Sequence, residues 1–271
     1  MCDICVMNSV KERMVSRRGF FKSAAAAGAV ATVGVSTTTS ALAAGQSKVM
    51  DLTHTLHPEF PTWGGDPGFA KEQVFNFKKD GFNLFNLTIN EHTGTHIDAP
   101  LHFSADGTSV DEMPVESLIA PLCIVDIAAR AAENADTTVT PDDLKAWISA
   151  NGKIPDGACV AMHSGWGAKV ATDGFRNFDG KAQHYPGFHV EAATMLKEET
   201  GAKSIAVDTL SLDPGNSADF ATHYAWLPSN RFGIENVANL DKLPAAGATV
   251  FIGAPKFAGG TGGPARVIAM V

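Results

Sequence analysis

The sequence predicts a single α/β domain, and three observations carry that prediction. With 271 residues at 45% hydrophobic composition, the chain can bury one substantial core without dividing into two. Short apolar runs bounded by turn residues, such as Leu122-Cys-Ile-Val-Asp-Ile127 and Ser204-Ile-Ala-Val-Asp-Thr209, read as buried strands. Helical segments stand between such runs, and the order strand, helix, strand implies at least one parallel crossover.

The first 43 residues stand apart from the fold. Ser16-Arg-Arg-Gly-Phe-Phe-Lys22 has a twin-arginine pattern, and the alanine-rich run after it ends in Ala41-Leu42-Ala43, small residues suited to cleavage. The expectation is a signal peptide over 1–43, export of the folded protein by the twin-arginine route, a periplasmic location and a mature domain over 44–271. Threonines and glycines interrupt the run before it could span a bilayer, so no stable membrane association is expected after cleavage. Removing the leader's net +3 from the chain's −8 leaves about −11 on the mature part. That acidic balance, with no basic stripe, argues against nucleic acid as a partner. Cys2 and Cys5 form a CxxC inside the leader, whereas Cys123 and Cys159 lie in apolar runs where a buried, inert thiol is expected.

In the mature part, Val49–Leu56 reads as a short strand and Phe60–Pro67 as turn chemistry carrying Trp63. Phe82–Ile89 is a strand that delivers the chain to His92. Leu122–Ile127 is the next buried strand, and Thr140 then N-caps a helix whose first residue is Pro141. Cys159–Trp166 begins as a strand and ends in polar and aromatic residues. A helix over 190–200 with Gly201 as its C-terminal cap, the strand Ser204–Thr209 and a turn at Asp213-Pro-Gly-Asn follow. Ala248–Pro255 and Ala265–Val271 close the chain as paired strands, and the glycine-rich Gly259–Gly263 between them reads as a hairpin connection. His54, His57, His163 and Trp63 could each reach a pocket or be ordinary loop and core residues.

The chemistry concentrates in Glu91-His-Thr-Gly-Thr-His-Ile-Asp-Ala-Pro-Leu-His102, which places His92, His96, Asp98 and His102 within eleven residues. Gly94, two threonines and Pro100 argue against a helix, so the segment reads as a tight loop running into extended chain. If the chain stays extended, a period of two puts His96, Asp98 and His102 on one side and the apolar residues opposite. Imidazole with carboxylate and no thiolate suits Zn, Mn or Fe in an open site rather than a closed structural zinc site.

The HxGTHxDxPxH pattern from His92 to His102 resembles the cyclase-like metal-dependent hydrolases, the family that includes bacterial kynurenine formamidase and isatin hydrolase. Asp51-Leu-Thr-His, His163-Ser-Gly-Trp, Tyr185-Pro-Gly, Val207-Asp-Thr-Leu-Ser-Leu-Asp213, and Gly253-Ala-Pro with Pro264-Ala-Arg-Val-Ile-Ala extend the likeness over nearly all of the mature chain. The resemblance implies a single swivelling β/β/α domain, with mixed sheets and flanking helices, in a homodimer or homotetramer. It implies one or two divalent ions, Zn or Mn, with His92, His96 and Asp98 as ligands and His223 with Glu235 completing a second position. It implies arylformamidase-like cleavage of the C–N bond of a small amide by metal-bound hydroxide, with His102 as acid and base. Trp63, Phe82, Trp166 and Trp226 could wall a pocket for a planar ring. The rival reading is an exported small-molecule or metal-binding protein on the same fold without turnover.

Overall fold

The computed structural model describes residues 48–271; the twin-arginine motif, the cleavage site and the Cys2/Cys5 pair lie outside them. The architecture is α/β. A nine-stranded mixed sheet runs in the order β1 (Val49–Asp51), β13 (Arg266–Met270), β11 (Ala248–Gly253), β5 (Ile119–Asp126), β7 (Cys159–His163), β9 (Ser204–Val207), β10 (Phe232–Glu235), β4 (His96–Asp98), β12 (Gly262–Pro264). Its centre, β5-β7-β9-β10, is parallel, as the strand, helix, strand order predicts, and every other pair is antiparallel.

Alternation along the central strands feeds two cores. From β7, Cys159 and Ala161 face one cluster with Ile97, Val250 and Ile234, while Val160 and Met162 face the other with Leu144, Leu196 and Trp226. Four helices follow the sheet strands: α2 (Ala128–Glu133), α3 (Pro141–Asn151), α4 (Val190–Glu199) and α5 (Ala221–Trp226), after α1 (Phe77–Asp80) in an outlying hairpin. Thr140 caps α3 in a reciprocal capping box with Asp143, and the helix buries Leu144 and Trp147 three residues apart on one face. Cys123 and Cys159 are both free and buried, and they point into opposite cores, so no disulfide forms between them. No helix among the described residues is long and apolar enough to cross a membrane.

The structure corrects four readings. Only Val49–Asp51 of the first predicted strand is regular, with Thr53 making an isolated bridge to Val237. Helix α4 ends at Thr200 rather than by a left-handed Gly201: the Thr200 hydroxyl donates to the Leu196 carbonyl, and a Cβ at Gly201 would stand 2.5 Å from Asp156 Oδ1. The glycine-rich loop is more than a connection, since it holds β12, the strand beside β4. Finally, β3 (Leu84–Ile89) pairs with an unforeseen β2 (Phe69–Phe75) in a separate exposed hairpin. A further short pair joins β6 (Thr138–Val139) to β8 (Gly187–Phe188).

Candidate metal centre

Strand register explains how residues far apart in sequence meet. In the antiparallel pair β4–β10, His96 lies opposite Glu235 and Asp98 opposite Gly233. Directly opposed residues share a sheet face, and so do residues two apart, which brings His96, Asp98 and Glu235 to one face while Ile97 and Ile234 turn into the core. Gly94 turns the preceding loop with φ +66°, a conformation open to glycine, and its carbonyl accepts from both His96 Nδ1 and Asn236 Nδ2. Beyond β4 the extended chain stops. Pro100–Phe103 is a 3₁₀ turn, so His102 arrives by a turn and not by strand alternation, correcting the period-two reading at that residue.

The ligand atoms are oriented as a metal requires. A carbonyl can only accept, so His96 carries its proton on Nδ1 and presents Nε2 to the cluster. His223, on α5, donates from Nδ1 to Asp213 Oδ2 at 2.6 Å and likewise presents Nε2. His96 Nε2 then lies 3.3 Å from Asp98 Oδ1 and 3.3 Å from Glu235 Oε2, and His223 Nε2 lies 3.3 Å from Glu235 Oε1 and 3.6 Å from Asp98 Oδ2. His96 Nε2 and Asp98 Oδ2 are nevertheless buried without a hydrogen-bond partner. Donors aimed past one another at these spacings fit a shared cation, because ligands about 2.1 Å from a tetrahedral ion stand roughly 3.4 Å apart. Two triads have their ligand atoms within 4.8 Å of one another, His92–His96–Asp98 and Asp98–His223–Glu235, with Asp98 common to both.

Electrostatics point the same way. Burial would push His96 down, yet the Asp98 and Glu235 carboxylates that its Nε2 faces, Asp98 foremost, raise it to about 10. His223 is held well above its usual value against burial by Asp213, Asp98 and Glu235. Burial would raise the Asp98 carboxyl, but the His96 charge and three imidazole contacts hold it well below the usual range. Packed carboxylates thus demand positive charge at this point, and a divalent ion supplies it as well as protons do.

His92, His96, His223 and Glu235 form the floor of a cavity of about 440 Å³ whose walls include Trp63, Phe103 and Phe220, with Asp98 buried beneath them. His102 lines it too, its ring stacked on His92 with centroids 3.8 Å apart, and burial pushes its pKa down to about 4. Trp63 packs on Phe220 at 5.5 Å and Phe103 on His223 at 4.6 Å. Of the aromatic residues named from sequence, Trp63 alone lines this cavity: Trp166 and Trp226 are core residues, and Phe82 packs on Phe75 of the hairpin. His54 and His163 border a different cavity, and His57 pairs with Glu59 near the surface. Phe103, Phe220 and Asp213 escaped the sequence reading, although Asp213 ends the Val207–Asp213 landmark.

Residues 50–214 match the model of the Cyclase family. An isatin hydrolase of Roseibium aggregatum is 33% identical over 249 residues, 85% of this chain and 94% of that protein. A kynurenine formamidase of Maricaulis maris is 30% identical over 180 residues, 66% of this chain and 77% of its own length. The solved isatin hydrolase A of Ralstonia solanacearum superposes with a TM-score of 0.80 at 35% identity, covering 89% of this chain and 100% of that structure.

Proposed function

This chain belongs to the cyclase family of metal-dependent amide hydrolases, and on that premise we propose that it opens a small aromatic cyclic amide of the isatin type. The isatin hydrolase match spans 94% of that relative, whereas the formamidase match spans 77% of its own, which favours a lactam over an open-chain formamide. The observation that carries the reading is the cavity itself: a cluster of imidazoles and carboxylates at the floor, His102 beside it, and flat aromatic walls of Trp63, Phe103 and Phe220.

We assign His92, His96 and Asp98 as ligands, with His223 and Glu235 completing a second position, for one or two Zn or Mn ions; folded export would let the ion be loaded in the cytoplasm. A bound divalent ion would acidify a water molecule and polarise the amide carbonyl. The protein does the rest. Asp213 and the Gly94 carbonyl fix the His223 and His96 imidazoles, and the aromatic walls hold a ring flat and exclude bulk water. His102, kept neutral by burial, accepts the proton of the attacking water and returns it to the nitrogen as the C–N bond breaks. The products are a carboxylate and an amine in one molecule.

Two further parts of the proposal concern assembly and address. Exposed Val74, Phe75, Phe77, Leu84, Phe85, Leu87 and Ile89 gather on the hairpin β2–β3, which supports a homodimer or homotetramer because a lone two-stranded hairpin is marginally stable in water. The twin-arginine motif supports a periplasmic location with cleavage near Ala43. Hydrolysis of isatin, N-formylkynurenine and simple cyclic imides by metal-reconstituted protein tests the activity. Turnover of isatin above the others is expected, and tight metal binding without hydrolysis of any would overturn it.

A further inference from the structure

His96 and His223 have their ligand nitrogens fixed by acceptors already described, but His92 does not. Its Nδ1 lies 2.8 Å from Asp98 Oδ1, and its Nε2 lies 2.9 Å from the Thr261 hydroxyl. A hydroxyl can accept or donate, so this contact alone leaves the tautomer open. The structure closes it one step further out. The Thr261 hydroxyl also contacts Glu91 Oε2 in a short hydrogen bond, and the Thr261 backbone amide points at the same carboxylate at 3.2 and 3.3 Å. An ionised carboxylate only accepts, so the single hydroxyl proton of Thr261 is committed to Glu91. Its oxygen is then left to accept, and what it accepts is the His92 Nε2–H.

From this we infer that the Glu91–Thr261 pair holds His92 as the Nε2–H tautomer, so that the lone pair on Nδ1 is the one offered to the metal beside Asp98. Two lone pairs facing each other at 2.8 Å repel, and a cation between them is what makes that arrangement favourable. Glu91 and Thr261 are positioning residues: neither reaches the cavity floor, and both act through His92.

The glycine-rich loop acquires its reason here. A Cβ on Gly260 would stand 2.7 Å from Glu91 Oε1, and one on Gly262 would stand 2.2 Å from the Ile97 carbonyl oxygen and 2.9 Å from His92 Cε1. Bare backbone at both positions lets the loop close over Glu91 and set Thr261 against the imidazole. The Ala99 amide donates to the Thr261 carbonyl, tying the same residue to the end of β4.

The inference rests on His92 being a metal ligand, so its test has one arm with metal and one without. In metal-free full-length protein with ¹⁵N-labelled histidine, long-range ¹H–¹⁵N correlation spectra report each ring's tautomer; His92→Gln identifies the His92 signals by their loss. A proton on Nε2 is expected in the parent protein, with Nδ1, which faces Asp98 Oδ1, taking up a second proton where no cation stands between them. In Glu91→Gln the new amide can donate to the Thr261 oxygen, which frees the hydroxyl to turn and shifts His92 toward Nδ1–H. Thr261→Val is expected to weaken Zn binding, measured by chelator competition, by about 10- to 100-fold, with Thr261→Ser restoring it. An unprotonated Nε2 in the parent, or unchanged ring protonation and Zn affinity in both Glu91→Gln and Thr261→Val, would overturn the inference. A parent protein that binds no Zn would instead overturn the metal reading, and the metal-free spectra would still decide the tautomer.

Discussion

Asp213→Asn perturbs the centre through one atom pair and leaves the cavity floor otherwise intact. Both Asp213 oxygens are in use: Oδ1 accepts the Thr222 amide at 2.7 Å, and Oδ2 accepts the His223 amide at 3.1 Å and the His223 ring at 2.6 Å. An asparagine NH₂ must therefore confront a donor whichever way it turns. If it faces Thr222, the first turn of α5 loses its acceptor. If it faces His223, the ring must carry its proton on Nε2, where that proton points into the metal cluster. Asp213 and His223 are only 2% and 3% exposed, so water cannot replace the lost bond. A buried charge-assisted hydrogen bond contributes about 1.5–3 kcal/mol, and breaking one end of a buried pair costs about 3–5 kcal/mol. Taking about 3 kcal/mol, and about 2–4 °C per kcal/mol for a domain of this size, Tm falls by roughly 6–12 °C. Loss of the imidazole's orientation also weakens metal binding by about 10- to 100-fold. Calorimetry of metal-free protein and chelator competition measure the two effects separately. A variant with unchanged Tm and unchanged metal affinity would refute the assignment of Asp213 as the group that orients His223.

Three other outcomes follow from the same geometry. His102→Ala lowers kcat by about 10²- to 10⁴-fold while metal content stays at the parental level; loss of the metal with the activity would instead make His102 a ligand. In metal-free protein the folded state holds the His96 proton up to about 10, whereas the ordinary value is 6.5, so folding binds an extra proton between these limits. That stabilisation is fully present below the lower value and is lost as pH rises toward the upper one; denaturant midpoints in chelator that rise from about pH 7 to about pH 9 would contradict it. Leu87→Glu, at a hairpin position that is 55% exposed, is expected to lower the sedimentation coefficient from that of the proposed oligomer to that of a monomer while leaving the far-ultraviolet spectrum unchanged; an unaltered sedimentation coefficient would free the hairpin from any part in assembly.

What the sequence disclosed and what it withheld divide along the range of the interactions. The α3 start was legible because Thr140 and Pro141 act on backbone groups within one turn. His96 and Asp98 were legible because period two is a local rule and β4, although only three residues long, obeys it. His102 broke the rule two residues past Pro100, where the proline that favours extension before it also opens a 3₁₀ turn after it. Glu235 faces His96 only through the β4–β10 register, a pairing across more than a hundred residues that no local pattern encodes; likeness to relatives supplied it. The hairpin strand β2 went unseen because Phe69–Phe75 mixes apolar and charged residues without alternation and buries neither face. Phe220 sits at φ +52°, a backbone state uncommon for phenylalanine and unreadable from composition, yet it sets the cavity wall against Trp63.

Metal analysis of the purified protein reaches the centre of the account most directly. Native protein is expected to carry one or two equivalents of Zn or Mn per chain, and the same preparation of His96→Ala, folded by circular dichroism, is expected to lose both the ion and isatin hydrolysis. A parent protein free of divalent metal that hydrolyses isatin at full rate in chelator would contradict it.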